Sequence, residues 1–236
     1  MRRSSIRLQR QSLLLTLRSL FPLLCVYAVL LPCSCADSDP EVVSVTGTVV
    51  FDFADEERAP ATRLAFFMQT ESAVQRADSV EAVHRETGMR WHVDEPRLIS
   101  GSDRQWVGYT NLQPAGGGKI LNGGYDCFYT DAAGNETSSR FTVRYPEALL
   151  TATVASARER MTVPFSEYIA LYGDDGALMF FNKRRSSWLT NDDIAADYRS
   201  ALTLRTCLVA DNNSVICLLP AEMLREPALN EERDDA

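Results

Sequence analysis

Residues 122–145 read NGGYDCFYTDAAGNETSSRFTVRY and predict a β-hairpin. Tyr125, Cys127 and Tyr129 occupy every second position, so they share one face of an extended strand. Residues 131–135 (DAAGN) are turn-forming and separate this strand from a second one. The two predicted strands are Gly124–Thr130 and Ser138–Tyr145.

Further short extended segments precede this hairpin, and turn-forming residues separate them. They are residues 42–53, 64–70, 79–85, 89–94, 97–99 and 104–111. Gly88 supplies the positive φ that a tight turn between residues 85 and 89 needs. About seven strands of this kind predict a β-sandwich over residues 41–146.

The segment Asn122–Cys127, with a tyrosine two residues before a cysteine, resembles the late strand of immunoglobulin-like domains. The turn Thr130–Asn135 is similar to that of many bacterial immunoglobulin-like and fibronectin-III-like surface domains. The resemblance covers residues 41–146 and implies an Ig-like sandwich. The segment has no second cysteine to pair with Cys127, so the inter-sheet disulfide of antibody domains is absent. A fold resemblance by itself does not assign a function.

Residues 147–224 predict a small α+β unit with the order ββαββ. Residues 173–176 (GDDG) join two extended segments, as in a hairpin. Thr190 or Asn191 provides an N-cap, and aspartates follow in the first turn of the expected helix. Residues 147–160 fit a short helix or a linker strand. Residues 225–236 are charged and are expected to form a disordered acidic tail.

A last predicted hairpin turns at residues 210–214 (ADNNS) and contains two cysteines. If the turn centres on Asn212, Cys207 faces Cys217, and directly opposed Cα atoms lie within disulfide range. The sequence therefore predicts a Cys207–Cys217 disulfide that staples the hairpin. The alternative is a pair of buried thiols. Cys127 is expected to be a small inward-facing side chain, and a reactive thiol is the other interpretation.

The N-terminus has the pattern of an export signal. Five arginines and no acidic residue occur in residues 1–35, and an apolar run extends from Leu20 to Leu31. The run is shorter than the roughly 20 residues needed to span a bilayer. The segment resembles a lipoprotein signal of the spirochaetal kind, which implies lipidation at Cys35, or alternatively at Cys33. Cleavage after Ala36 and an uncleaved anchor are the other readings.

The charge balance restricts the partners. The formal net charge is −8, and removal of the five leader arginines takes it to −13. Nucleic acids are bound through clustered cations, so no nucleic-acid partner is expected. The expected contact with a membrane is the lipid anchor.

Residues with catalytic potential are few. His84 and His92 are the only histidines, and a zinc site needs about three protein ligands. No nucleophile-elbow motif occurs. We therefore predict no catalytic residues, cofactor or metal. Trp188 lies beside the densest cluster of cations and marks, with Arg184 and Arg185, a predicted interaction surface; the alternative places Trp188 in the core of the small unit.

Taken together, these patterns predict a non-enzymatic cell-envelope lipoprotein. It would act outside the cytoplasm as an interaction or structural module, with an envelope or surface protein as partner. Two alternatives are an extracytoplasmic hydrolase or metal-dependent enzyme that uses His84 or His92, and a small-ligand binding protein with a pocket between the two units.

Overall fold

The computed structural model describes residues 41–70, 77–101 and 104–225. These described residues belong to one compact unit. This part of the chain is mainly β, as expected from the sequence. Its strands are β1 (Val42–Asp52), β2 (Ala61–Thr70), β3 (Ala77–His84), β4 (Arg90–Val93), β5 (Arg97–Ser100), β6 (Gln105–Leu112), β7 (Gly123–Asp131), β8 (Glu136–Val143), β9 (Phe165–Tyr172), β10 (Leu178–Asn182), β11 (Thr203–Ala210) and β12 (Val215–Met223). Its α-helices are α1 (Val154–Arg160) and α2 (Asn191–Asp197). The leader and residues 226–236 of the acidic tail lie outside the described residues.

The strands form two sheets. One has eight strands in the order β10-β9-β11-β12-β1-β2-β6-β5, and the other has four in the order β4-β3-β7-β8. β1 pairs with β12 in parallel, and the other neighbouring strands pair antiparallel. The predicted hairpins β3–β4 and β7–β8 are both confirmed, and Gly88 and Gly134 adopt φ of 71° and 82° in their turns.

The main core lies between the two sheets. Alternate residues of β2 (Leu64, Phe66 and Met68) point inward and pack with Tyr125 and the other buried residues of the four-stranded sheet. The sheets approach closely at Gly47, where a β-carbon would overlap the ring of Phe141. We call the face of the eight-stranded sheet that packs against the four-stranded sheet its inner face, and we call the opposite face its outer face.

The C-terminal segment extends the same sheet. β12 continues from β1, and β11, β9 and β10 follow outward. α2 covers the inner face of this extension by packing Ile194 with Trp188, Leu171 and Leu204. The helix begins at the predicted N-cap, because the Thr190 hydroxyl accepts a hydrogen bond from the backbone N–H of Asp193.

The predicted Cys207–Cys217 disulfide is wrong. Asn213 adopts a φ of 57° in the turn, and the ladder that follows pairs Leu208 with Cys217 and Cys207 with Leu218. This register is shifted by one residue from the expected one, and such a shift moves a side chain to the other face of the sheet. Cys217 therefore lies in the main core, while Cys207 lies on the outer face, and both are free thiols.

No helix within the described ranges is long and apolar enough to cross a membrane.

Candidate interaction surface

The outer face of the eight-stranded sheet carries an apolar cluster of its own. Ala170, Cys207 and Val209 are buried there, with partly buried side chains around them. The surrounding side chains are Tyr168, Tyr172, Ile216 and Leu218. Both helices contribute instead to the clusters of the inner face. The outer face of β9, β11 and β12 therefore carries an apolar surface formed by strand residues.

This surface ends at β10, which is an edge strand with unusual exposure. Leu178 is 55% exposed and Phe181 is 47% exposed. Phe181 stacks on Tyr168 at the outer face, with ring centroids 5.3 Å apart. Phe180 points the other way and packs edge-on against Trp188 at 5.2 Å. The edge thus presents apolar side chains beside a row of backbone groups with no strand beyond them in the described structure.

Opposite charges flank β10. Asp174 and Asp175 form the turn before it, and Lys183 and Arg184 follow it; all four are exposed. Within the described part of the chain, the hydrogen bonds that the aspartates accept come from the backbone of their own turn, at Asp175 and Ala177. Within the described residues none of these four side chains forms an ion pair. The edge strand therefore has an acidic end and a basic end. Lys183 lies over the ring of Tyr168 and Arg184 donates to the Trp188 carbonyl, but no carboxylate of the described residues neutralises either cation.

The opposite edge of the same sheet is similar. β5 is exposed along its whole length, with Leu98 and Ile99 at 44% and 50%. Of the eight exposed large apolar side chains in the described residues, five lie on β5 or β10. The exposed apolar side chains are thus concentrated at the two ends of one sheet.

Trp188, predicted as part of an interaction surface, is instead buried. Only 3% of the residue is exposed, and its indole N–H donates to Asp197 at 2.6 Å. Phe180 and Tyr198 enclose its ring. Its role is in the core under α2, because a tryptophan with a satisfied N–H is stable inside.

The two neighbouring arginines remain at the surface, Arg185 against this aromatic cluster and Arg184 on the backbone beside it. The Arg185 guanidinium lies 4.6 Å from the centroid of Trp188 and 3.4 Å from the Asp197 carboxylate. Arg184 donates from Nε to the carbonyl oxygen of Trp188 at 2.9 Å. Both side chains are thereby oriented at the C-terminal end of β10.

The two histidines do not share a site. His84 is buried against Tyr125, while His92 lies on the opposite face of the four-stranded sheet, beside Glu81 and Asp94. The Thr87 N–H donates to Nδ1 of His84, so Nε2 carries the proton and donates to the Asn122 carbonyl at 3.2 Å. This histidine fixes the β3–β4 turn against the start of β7. A shared acid/base or metal site is therefore excluded.

The three described cysteines are inert thiols. Burial raises the pKa of Cys127 and Cys207 to about 11 and that of Cys217 to about 12. The thiolate is the reactive form, so these values suppress nucleophilic chemistry at neutral pH. The inward-facing interpretation of Cys127 is confirmed, since the residue is fully buried.

A charged network joins the C-terminal strands to β1. Asp52 accepts hydrogen bonds from Arg205 and Arg63, each at 2.6 Å. Burial acts to raise the pKa of Asp52, but the hydrogen bonds and charges of the two arginines outweigh it and hold the pKa below its usual value. Arg205 also donates to the carbonyls of Leu218 and Leu219, so its role is to fix strands.

Arg63 and Asp52 also line an open cleft of about 720 Å³ next to the loop of residues 113–119. The pocket expected between the two predicted units would be enclosed and mostly apolar. This cleft is open and combines charged residues with a glycine-rich loop. It therefore lacks the features expected of an apolar ligand pocket.

In residues 41–70, 77–101 and 104–225, no three His, Cys, Asp or Glu side chains form a group that could hold a metal ion. Cys33 and Cys35, the predicted lipidation sites, lie outside the described residues. Their assignment stays a prediction.

The strands and their pairing place the chain in the class of mainly β proteins, with two sheets. No protein-family model matches the chain, and no match was found among curated proteins or solved structures.

Sequence reasoning missed β10 as part of the surface. The run LMFF at residues 178–181 has no alternation of apolar and polar residues, which suggests a strand buried on both faces. Its position at the end of the sheet, which the local pattern does not encode, is what exposes it. The sequence feature that could have indicated an exposed strand is the charge pattern, with acidic residues before the run and basic residues after it.

Proposed function

We propose that the chain is a non-enzymatic interaction module of the cell envelope. Residues 1–35 export it, and a lipid on Cys35, or alternatively Cys33, anchors it to a membrane. The body outside the cytoplasm is an Ig-like sandwich followed by the ββαββ segment, and it binds an envelope or surface protein through the edges of its eight-stranded sheet.

The strand arrangement supports the Ig-like part of this proposal. The order β1-β2-β6-β5 facing β4-β3-β7-β8 corresponds to the A-B-E-D and C′-C-F-G sheets of immunoglobulin-like domains. The Tyr125 hydroxyl donates to the Leu121 carbonyl at 2.8 Å, four residues upstream. That bond is typical of the tyrosine corner of such sandwiches.

The observation that carries the interaction role is the exposure of β5 and β10. Sheet edges with unpaired backbone groups are protected in most proteins, since they pair readily with other strands. Here both edges of one sheet combine such groups with large apolar side chains, of which Ile99 and Phe181 are 50% and 47% exposed. Addition of a strand from a partner is a known mode of recognition at such edges.

The test is site-specific crosslinking in intact cells. A photo-crosslinking amino acid replaces Phe181 in β10 or Ile99 in β5 of the full-length chain, and Thr142, exposed in β8, provides the matched control. We expect protein adducts from at least one sheet edge and none from Thr142. Adducts absent from both edges, or equally frequent at Thr142, would refute the edges as the interaction surface.

The anchor requires a separate test with radioactive fatty acid. We expect the wild-type chain to incorporate label and the Cys33→Ala/Cys35→Ala double variant to lose it. Label retained by the double variant would disprove lipidation at this position. The two single variants identify the modified cysteine.

A further inference from the structure

We propose that β10 pairs with β10 of a second copy of this chain, antiparallel and about a two-fold axis. The inference rests on the proposed function, since it names the partner of one sheet edge. Such pairing would join two eight-stranded sheets into one continuous sheet.

The charge pattern selects a second copy as the occupant. In an antiparallel pair, the beginning of one strand lies beside the end of the other. The acidic turn of each copy then meets the basic end of its partner, twice in every dimer. The acidic turn and the basic end lie at opposite ends of β10, so this pairing brings Asp174 and Asp175 near Lys183 and Arg184 of the second copy. A two-fold contact uses one self-complementary patch, and β10 carries both halves of it.

The orientation follows from the same charges. Parallel pairing would bring the acidic turns together and the basic ends together. Like charges in direct opposition destabilise an interface. Antiparallel pairing is therefore favoured over parallel pairing.

The apolar side chains extend this contact beyond the backbone. Leu178 and Phe181 are exposed, and the stacking of Phe181 on Tyr168 places it on the outer face. Pairing of two strands brings these side chains of both copies side by side along one face of the joined sheet. Apolar area would thus be removed from water on both copies.

The test uses charge reversal and co-purification of two full-length copies that carry different tags and are expressed in the same cells. One variant is Asp174→Lys/Asp175→Lys, and the other is Lys183→Glu/Arg184→Glu. When both tagged copies carry the same variant, like charges meet at both contacts. We therefore expect the two copies to co-purify at least about tenfold less than two wild-type copies.

Mixing the two variants restores both contacts. The lysines introduced at positions 174 and 175 of one copy meet the glutamates introduced at positions 183 and 184 of the other, and the unchanged acidic turn of the second copy meets the unchanged basic end of the first. We expect the mixed pair to co-purify as well as two wild-type copies. Such recovery also shows that each variant folds. A mixed pair that recovers no better than either variant alone, or wild-type copies that fail to co-purify, would overturn the proposal.

Glu56→Lys/Glu57→Lys is the matched control for Asp174→Lys/Asp175→Lys, since it makes the same charge change in an exposed loop away from β10. It should co-purify like the wild type; a loss equal to that of the β10 variants would attribute the effect to net charge and refute pairing. If copies fail to associate while Phe181 crosslinks to another protein, self-pairing is refuted and the proposed function stands. No adduct at either edge refutes both.

Discussion

At the scale of single residues, burial determines the chemistry of the thiols and phenols. Tyr125 and Tyr145 lie in the core, and burial raises the pKa of each to about 12. Together with the raised pKa values of Cys127, Cys207 and Cys217, this means that the native state retains protons that an unfolded chain releases. The core therefore stabilises the protonated, neutral forms of these thiols and phenols.

We predict that the free energy of unfolding falls as the pH rises from about 9. A thiol with an unfolded pKa of 9.0 and a native pKa of about 11 stabilises the native state fully below pH 9, and that contribution is lost as pH rises toward 11. The loss is about 1 kcal/mol per thiol at pH 10. Urea denaturation at pH 8 and pH 10 measures it.

Cys217→Ala provides the control, because it removes one titrating thiol. Its free energy of unfolding should fall less between pH 8 and 10 than that of the wild type, although the variant is less stable overall. An identical fall would contradict the prediction.

At this scale the sequence was informative for some residues and misleading for others. The alternation through Tyr125, Cys127 and Tyr129 identified one inward face correctly. Trp188 lay next to cations and looked accessible, yet α2 covers it, since a tertiary contact decides its burial. The cysteine pairing failed because one residue of hairpin register reverses the face of a side chain.

At the scale of elements, Arg205 holds β11, β12 and β1 together. Replacement with alanine leaves the Asp52 carboxylate with Arg63 alone and removes hydrogen bonds to two backbone carbonyls. We predict a destabilisation of about 1.5–3 kcal/mol, the usual range for hydrogen bonds to charged groups. Arg205→Lys should be intermediate, because an ammonium lacks the forked geometry of the guanidinium.

Arg158→Ala is the comparison for this measurement. Arg158 forms a 2.8 Å ion pair with Glu167, but both side chains are about half exposed, and exposed pairs contribute less than about 1 kcal/mol. Urea denaturation compares the two variants at pH 7. Equal losses for Arg205→Ala and Arg158→Ala would show that the network does not fix the strands.

The elements differ in how far local patterns predict them. The β3–β4 and β7–β8 hairpins have short loops with glycines at positive φ, so their sequences specify both the strands and the turns. The pairing of β1 with β12 joins residues 49–52 to residues 215–218, and no local pattern relates those two segments. The edge position of β10 follows from that long-range pairing and was equally inaccessible from the sequence.

At the scale of the whole molecule, one sheet runs through both segments that the sequence suggested as separate units. β1 pairs with β2 on one side and with β12 on the other. A substitution that destabilises the C-terminal extension should therefore also destabilise the sandwich. We predict that Ile194→Ala, which opens a cavity under α2, costs about 2–4 kcal/mol and lowers hydrogen-exchange protection in β1 and β7 together.

Thermal unfolding followed by circular dichroism, together with hydrogen exchange measured by mass spectrometry, checks this. A single transition is expected for the wild type and the variant. If the extension of the variant melts first while β7 keeps its full protection, the two segments are energetically independent and the prediction is wrong.

The parallel pairing of β1 with β12 also has a consequence for biogenesis. The strand that emerges first from the ribosome or from a translocation channel gains its second neighbour only when residues 215–218 have followed. Until then one of its edges has no partner, and contacts between such distant parts of a chain form slowly. Synthesis thus leaves an incomplete sheet that must avoid wrong partners while residues 53–214 are released.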